Sequence, residues 1–160
     1  MKYAQNIEEL LSSKQLSAMT GLEFIQGMRD GKYPAPPIGE TLNYKLIEAE
    51  FGHVTFSGKP SFRAMNPIGT IHGGWFGTLL DSCMACAVQT HLEKGFAYTT
   101  LEYKINIIRP LYENSETILA IGERSHVGRK TGIATGQMIG EESGKVYATG
   151  STTCLIFPIS

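Results

Sequence analysis

Apolar residues recur at helical spacing near the start of the chain, at Ile7, Leu10, Leu11, Leu16 and Met19, and again from Gly21 to about Met28. This pattern predicts a helix within 6–19 and a second short helix behind it. Asp30-Gly-Lys-Tyr-Pro-Ala-Pro-Pro37 then stops helical structure, because proline lacks the N–H and disfavours helical geometry in the residue before it. From Leu42 the periodicity becomes strand-like: Leu42 to Glu50, a turn at Phe51-Gly52, then His53 to Ser57, which reads as a hairpin. A loop from Gly58 to Gly69 leads to a long apolar segment, roughly Ile71 to Leu92, that predicts the main helix. Four further strands are expected at Ala97–Ile108, Thr117–Val127, Thr131–Gly140 and Val146–Phe157, joined by short connections rich in turn residues.

Two strands, a long helix and four closely connected strands imply an α+β fold with a mainly antiparallel sheet rather than alternating βαβ units. Between Trp75 and Val88 the helix is apolar nearly all round, so it must be buried on most sides. One long helix enclosed by a curved sheet meets that demand. The expected organisation is an N-terminal helical extension and connector over 1–40 and a main domain over 41–160.

With 160 residues and 42% hydrophobic content, the chain can build a sizeable core without disulfides. A formal charge of -1 gives no broad basic field, so neither nucleic acid nor an anionic membrane is expected as a partner. The helix-turn-helix look of the first 30 residues does not change this, since Lys2, Lys14, Arg29 and Lys32 are balanced by Glu8, Glu9, Glu23 and Asp30. The start lacks the apolar core of a secretory signal and no run is long enough to span a bilayer, so the expected compartment is the cytoplasm. Cys83, Cys86 and Cys154 lie in apolar contexts and are read as reduced, packed thiols. No His/Cys/Asp group has metal-ligand spacing, and no cofactor is expected.

The candidate chemistry is concentrated in Asn66-Pro-Ile-Gly-Thr-Ile-His72-Gly73-Gly74-Trp-Phe-Gly-Thr-Leu-Leu-Asp81. Asp81 is the only charged side chain between His72 and Glu93, and a carboxylate inside an apolar helix needs a partner or a task. It is read as a general base or nucleophile, against a purely structural carboxylate. At Gly73 the helix begins, and its first N–H groups have no intrahelical acceptor and sit at the positive end of the dipole. Such an N–H suits the oxyanion of a thioester under attack. Gly73 and Gly74 together let an acyl group approach the backbone, or simply permit a tight entry into the helix. Asn66 either orients a substrate carbonyl or water or makes an Asx-turn, and His72 either hydrogen-bonds a carbonyl or fills the entry turn, the supporting role being the one adopted. Gly73 and Asp81 are eight residues apart, roughly 12 Å along one helix axis, too far to hold one reacting carbon. If both act on the same bond they come from two chains, and the catalytic reading therefore implies a dimer with two equivalent shared sites.

Asn66-x-x-Gly-Thr-x-His72-Gly-Gly with Asp81 nine residues after the histidine, together with Tyr103-x-Ile-Asn106-x-x-x-Arg-Pro110, resembles the PaaI-type acyl-CoA thioesterases of the hotdog fold. The likeness runs from about Leu42 to Phe157. It implies hydrolysis of a small- or medium-chain acyl-CoA, aromatic ones included, with Asp81 as the catalytic carboxylate and Gly73 as the backbone donor. Asn66 and His72 match loop residues that hold the thioester or the water, and Thr100 falls where relatives place a hydroxyl that positions water. The resemblance also implies a cross-dimer site in a dimer or a dimer of dimers. Gly74 and Trp75 are expected at the acyl group, with Phe76, Met84 and a second chain completing its pocket. Arg129 and Lys130, beside the Gly128 turn, either offer cations for the CoA phosphates or simply make a basic hairpin turn in water. A non-catalytic acyl-CoA or lipid-binding protein of the same fold is the alternative. The extension over 1–40 departs from the compact family pattern.

Overall fold

The computed structural model describes residues 2–159. Its N-terminal part begins with three short helical segments, each started by a polar pair three residues apart. Asn6 accepts from the Glu9 N–H and opens a 3-10 turn at Ile7–Glu9. Ser12 and Gln15 form a capping box that opens α1 (Ser13–Ser17), and Thr20 and Glu23 form another that opens α2 (Gly21–Arg29). The single helix expected within 6–19 is thus divided, because Ser12 and Gln15 satisfy the free N–H groups of a new helix start in mid-segment. A further turn, α3 (Ile38–Thr41), follows Pro36-Pro37, where the sequence pattern shows only a connector. Proline suits a helix start, since the N–H it lacks has no helical acceptor there.

The strands follow the expected order: β1 (Tyr44–Glu50), β2 (His53–Gly58), then the central helix α4 (Gly73–Gln89), β3 (Phe96–Ile107), β4 (Ile118–Val127), β5 (Thr131–Gly140) and β6 (Val146–Pro158). Together they form one antiparallel sheet in the order β1-β2-β4-β5-β6-β3. This curved sheet around a long central helix is the hotdog fold.

Three glycines seat the helix. Gly122, Gly136 and Gly150 lie in register across β4, β5 and β6. A Cβ on Gly122 would stand 2.2 Å from the Cys83 carbonyl oxygen, and one on Gly136 would stand 2.7 Å from Met84 Cγ. The row is a trough in which α4 lies closer than any side chain allows. Above it Phe76, Leu79, Leu80, Cys83, Met84 and Val88 are buried among residues from the strands.

The two sheet edges differ. Along β1, Gln26 Nε2 donates to the Ala49 carbonyl at 3.0 Å and the Tyr3 hydroxyl donates to the Tyr44 carbonyl at 2.7 Å, so the N-terminal part blunts this edge. β3 at the other edge is 12 residues long and exposes Phe96, Leu101, Tyr103 and Ile107. A long apolar edge is a template for pairing with another strand.

Candidate active site

The chain enters α4 under firm control. The Ile71 N–H donates to the Leu111 carbonyl at 2.8 Å, and the His72 N–H donates to the Ala64 carbonyl at 2.7 Å. Asn66 builds the preceding turn. Its Oδ1 accepts from the N–H groups of Ile68 and Thr70, and its Nδ2 donates to the Thr70 hydroxyl at 2.7 Å. Of the two roles open to Asn66, the structure shows the Asx-turn, with one amide hydrogen left over.

His72 is the N-cap of α4, and its Nδ1 accepts the Gly74 N–H at 2.8 Å. An accepting Nδ1 places the ring proton of the neutral form on Nε2. The two adjacent glycines therefore differ in chemistry. Gly74 has its N–H taken by the cap, which leaves it only the close approach that a missing side chain permits. The Gly73 N–H, at the positive end of the helix, has no acceptor among the described residues.

Further along the helix, Asp81 is half-buried and its Oδ1 accepts the Thr100 hydroxyl at 2.9 Å. Burial pushes the carboxyl above the ordinary carboxylate range, and the Thr100 hydroxyl draws it part of the way back. Tyr98 and Cys86 lie close by, and burial pushes the Cys86 thiol up to about 12. Cys83, Cys86 and Cys154 are all buried and unbridged.

Strand β3 links the two groups. Ile107 Cδ1 lies 3.4 Å from where a Gly73 Cβ would stand, the Tyr103 hydroxyl lies 3.1 Å from the same point on Gly77, and Thr100 holds Asp81. The free edge of the sheet thus runs beside the helix from the donor to the carboxylate. Within the chain the two groups open into separate cavities. One of about 340 Å³ joins Gly73 to Asn66, Thr70 and Ile107; one of about 170 Å³ joins Asp81 to Ser82, Tyr44 and Tyr98.

Trp75 is not placed to touch an acyl group. It is 2% exposed, and its indole N–H donates to the Leu42 carbonyl at 2.9 Å. Met84 is likewise enclosed in the core, whereas Phe76, though buried, forms part of the wall of the Gly73 cavity. Arg129 and Lys130 are exposed on the β4–β5 turn beside an open groove of about 1170 Å³ that also touches His91, Phe96 and Phe157. Neither cation has a carboxylate partner among the described residues. Tyr44, Ser82 and Tyr98 carry no motif signal; Ser82 simply follows Asp81 on α4, and only the fold of β1 and β3 around the helix brings Tyr44 and Tyr98 to that point.

A model of the thioesterase superfamily matches residues 68–147, half of the chain, and the chain belongs to that superfamily. Its activity class is thioester hydrolysis. Among curated proteins none matches at a significant level. Solved structures share the fold. One is a phenylacetic acid degradation-related protein from Ralstonia eutropha, 25% identical, with a TM-score of 0.73 over 82% of this chain and 98% of that one. A hypothetical thioesterase protein from Streptococcus pneumoniae, solved with coenzyme A, is 25% identical, with a TM-score of 0.65 over 73% of this chain and 90% of that one. Zebra fish thioesterase superfamily member 2 is 24% identical, with a TM-score of 0.70 over 86% of this chain and 98% of that one. Among the described residues no helix is long and apolar enough to cross a membrane.

Proposed function

We propose that this protein hydrolyses a small- or medium-chain acyl-CoA at two equivalent sites, each built from Asp81 of one protomer and the Gly73 N–H of its partner. The observation that carries this reading is the course of β3, a free apolar edge beside Thr100 and Asp81 at one end and Gly73 at the other. Gly77 is midway between residues 73 and 81 and lies against Tyr103. An antiparallel β3–β3 pairing about a two-fold axis near Tyr103 therefore sets Gly73 of one chain level with Asp81 of the other. The same pairing removes the exposed edge and covers Leu101 and Ile107.

In this reading the partner's Gly73 N–H holds the thioester oxygen. With Oδ1 fixed by Thr100, Oδ2 of Asp81 takes a proton from water as the water oxygen bonds to the carbonyl carbon. Negative charge collects on the oxygen facing Gly73. The C–S bond then breaks, and the proton leaves with the CoA sulfur, giving free CoA and the acid. The unpaired Arg129 and Lys130 suit the phosphates of CoA, and the coenzyme A complex of the Streptococcus pneumoniae protein supports that ligand class. Residues 41–160 form the catalytic domain and residues 1–40 an extension of it.

Thiol release from a panel running from acetyl- to dodecanoyl-CoA, with phenylacetyl-CoA included, tests the proposal. Steady turnover that disappears in Asp81→Asn supports it; tight binding of acyl-CoA without release of CoA overturns it in favour of a binding protein.

A further inference from the structure

We infer that the N-terminal segment closes the blind end of the acyl pocket, and that Tyr3 sets the longest acyl group the enzyme accepts. This inference rests on the reading of Asp81 as the catalytic carboxylate. The cavity of about 170 Å³ that Asp81 enters lies where the two edges of the curved sheet come round to the same side of α4, with Tyr44 from β1 and Tyr98 from β3. The sheet alone leaves that seam open. Tyr3, Ala35, Pro36, Ile38 and Gly39, all from the extension, form its far wall.

The wall is tied in place. The Ala4 N–H donates to the Ala35 carbonyl at 2.9 Å, and the Ala35 N–H donates to the Lys2 carbonyl at 2.8 Å, forming a short parallel bridge. The Tyr3 hydroxyl donates to the Tyr44 carbonyl at 2.7 Å. Gly39 lets the ring settle, since a Cβ there would stand 2.7 Å from Tyr3 Cε1. The lining is largely apolar, and Asp81 and Ser82 sit on its helix side. An apolar cavity of about 150 Å³ takes one benzene. The pocket therefore suits an acyl group with one six-membered ring, or a straight chain of about six carbons, with its carbonyl at Asp81.

A simpler role for Tyr3 is capping the β1 edge through its hydroxyl, and two substitutions separate the roles. Tyr3→Phe removes the hydrogen bond and keeps the wall; Tyr3→Ala removes both. The readout is kcat/KM across straight-chain acyl-CoAs from two to twelve carbons and phenylacetyl-CoA, using the full chain with its fold checked by circular dichroism. Wild type and Tyr3→Phe should share a cut-off near six carbons. Tyr3→Ala should extend it, gaining about fourfold for each further methylene buried. Ile38→Ala opens the same wall without disturbing the Tyr3 hydrogen bond and should move the cut-off in the same direction. An unchanged length profile in either folded wall-opening variant overturns the inference, as does a Tyr3→Phe profile that matches Tyr3→Ala. Release of CoA by wild type with no such shift leaves the hydrolase reading intact. Failure of wild type on every acyl-CoA instead contradicts that reading itself.

Discussion

Replacing Gly73 by proline deletes the proposed oxyanion donor and little else. Gly73 is the first residue of α4, a position where proline is favoured because its ring presets the helical φ and the missing N–H has no helical acceptor. The residue before a proline must be extended, and His72 already is, with φ -63° and ψ 141°. The first ring carbon has space too, since a Cβ at Gly73 meets only Ile107 Cδ1 at an ordinary 3.4 Å. The substitution should therefore leave Tm nearly unchanged while lowering kcat by about 10²- to 10³-fold, equivalent to about 2.7–4 kcal/mol of transition-state stabilisation. Gly73→Ala is the control, because it keeps the N–H and adds the same first carbon. Steady-state thiol release gives kcat for both, and thermal unfolding gives Tm. A folded Gly73→Pro enzyme with kcat within a few-fold of wild type would refute the oxyanion role.

Asp81→Asn should lose about 10²- to 10⁴-fold in kcat, as expected for a missing base. Its stability should not fall at neutral pH. A carboxyl whose pKa is raised on folding contributes stability below its unfolded pKa and loses it as pH rises through the folded value, so neutral pH is where its charge burdens the fold. Thermal unfolding of Asp81→Asn should match or exceed wild type at pH 7 and lose that advantage in acid; marked destabilisation at pH 7 would point to a structural carboxylate. Thr100→Val removes the bond that draws Asp81 down, so the acid limb of the pH–kcat profile should move to higher pH and return in Thr100→Ser. An unmoved limb would show that Thr100 does not act through Asp81. Gly122→Ala pushes a methyl against the Cys83 carbonyl and should cost about 1–3 kcal/mol, seen as a fall of several degrees in Tm. An unchanged Tm would contradict the close seat of α4 on the sheet.

Much of the fold was legible because its elements have strong local signals. The nearly all-round apolar run from Trp75 to Val88 requires a covering sheet, and Phe51-Gly52 marks a hairpin turn, with Gly52 at φ 85°. The divided first helix was written in the Ser12/Gln15 pair, but the apolar spacing across it hides the break. Direction was harder to read than position. Trp75 follows Gly74 directly yet turns inward to Leu42, and nothing at short range in sequence records that contact. The different fates of the Gly73 and Gly74 N–H groups depend on the rotamer of His72. Least legible was the wall beside Asp81, since Tyr3, Ala35 and Tyr44 meet only after the sheet has curled round the helix.

The central claim is that each site takes its donor from one chain and its carboxylate from the other. Asp81→Asn and Gly73→Pro protomers, each inactive alone, can be dissociated together and reassociated in equal amounts. Random pairing makes half of the dimers hybrid, and each hybrid holds one site with both groups intact, so activity should recover to about a quarter of wild type. If each site lay within one chain, no hybrid would contain an intact site, and verified hybrids that stay inactive would contradict the account.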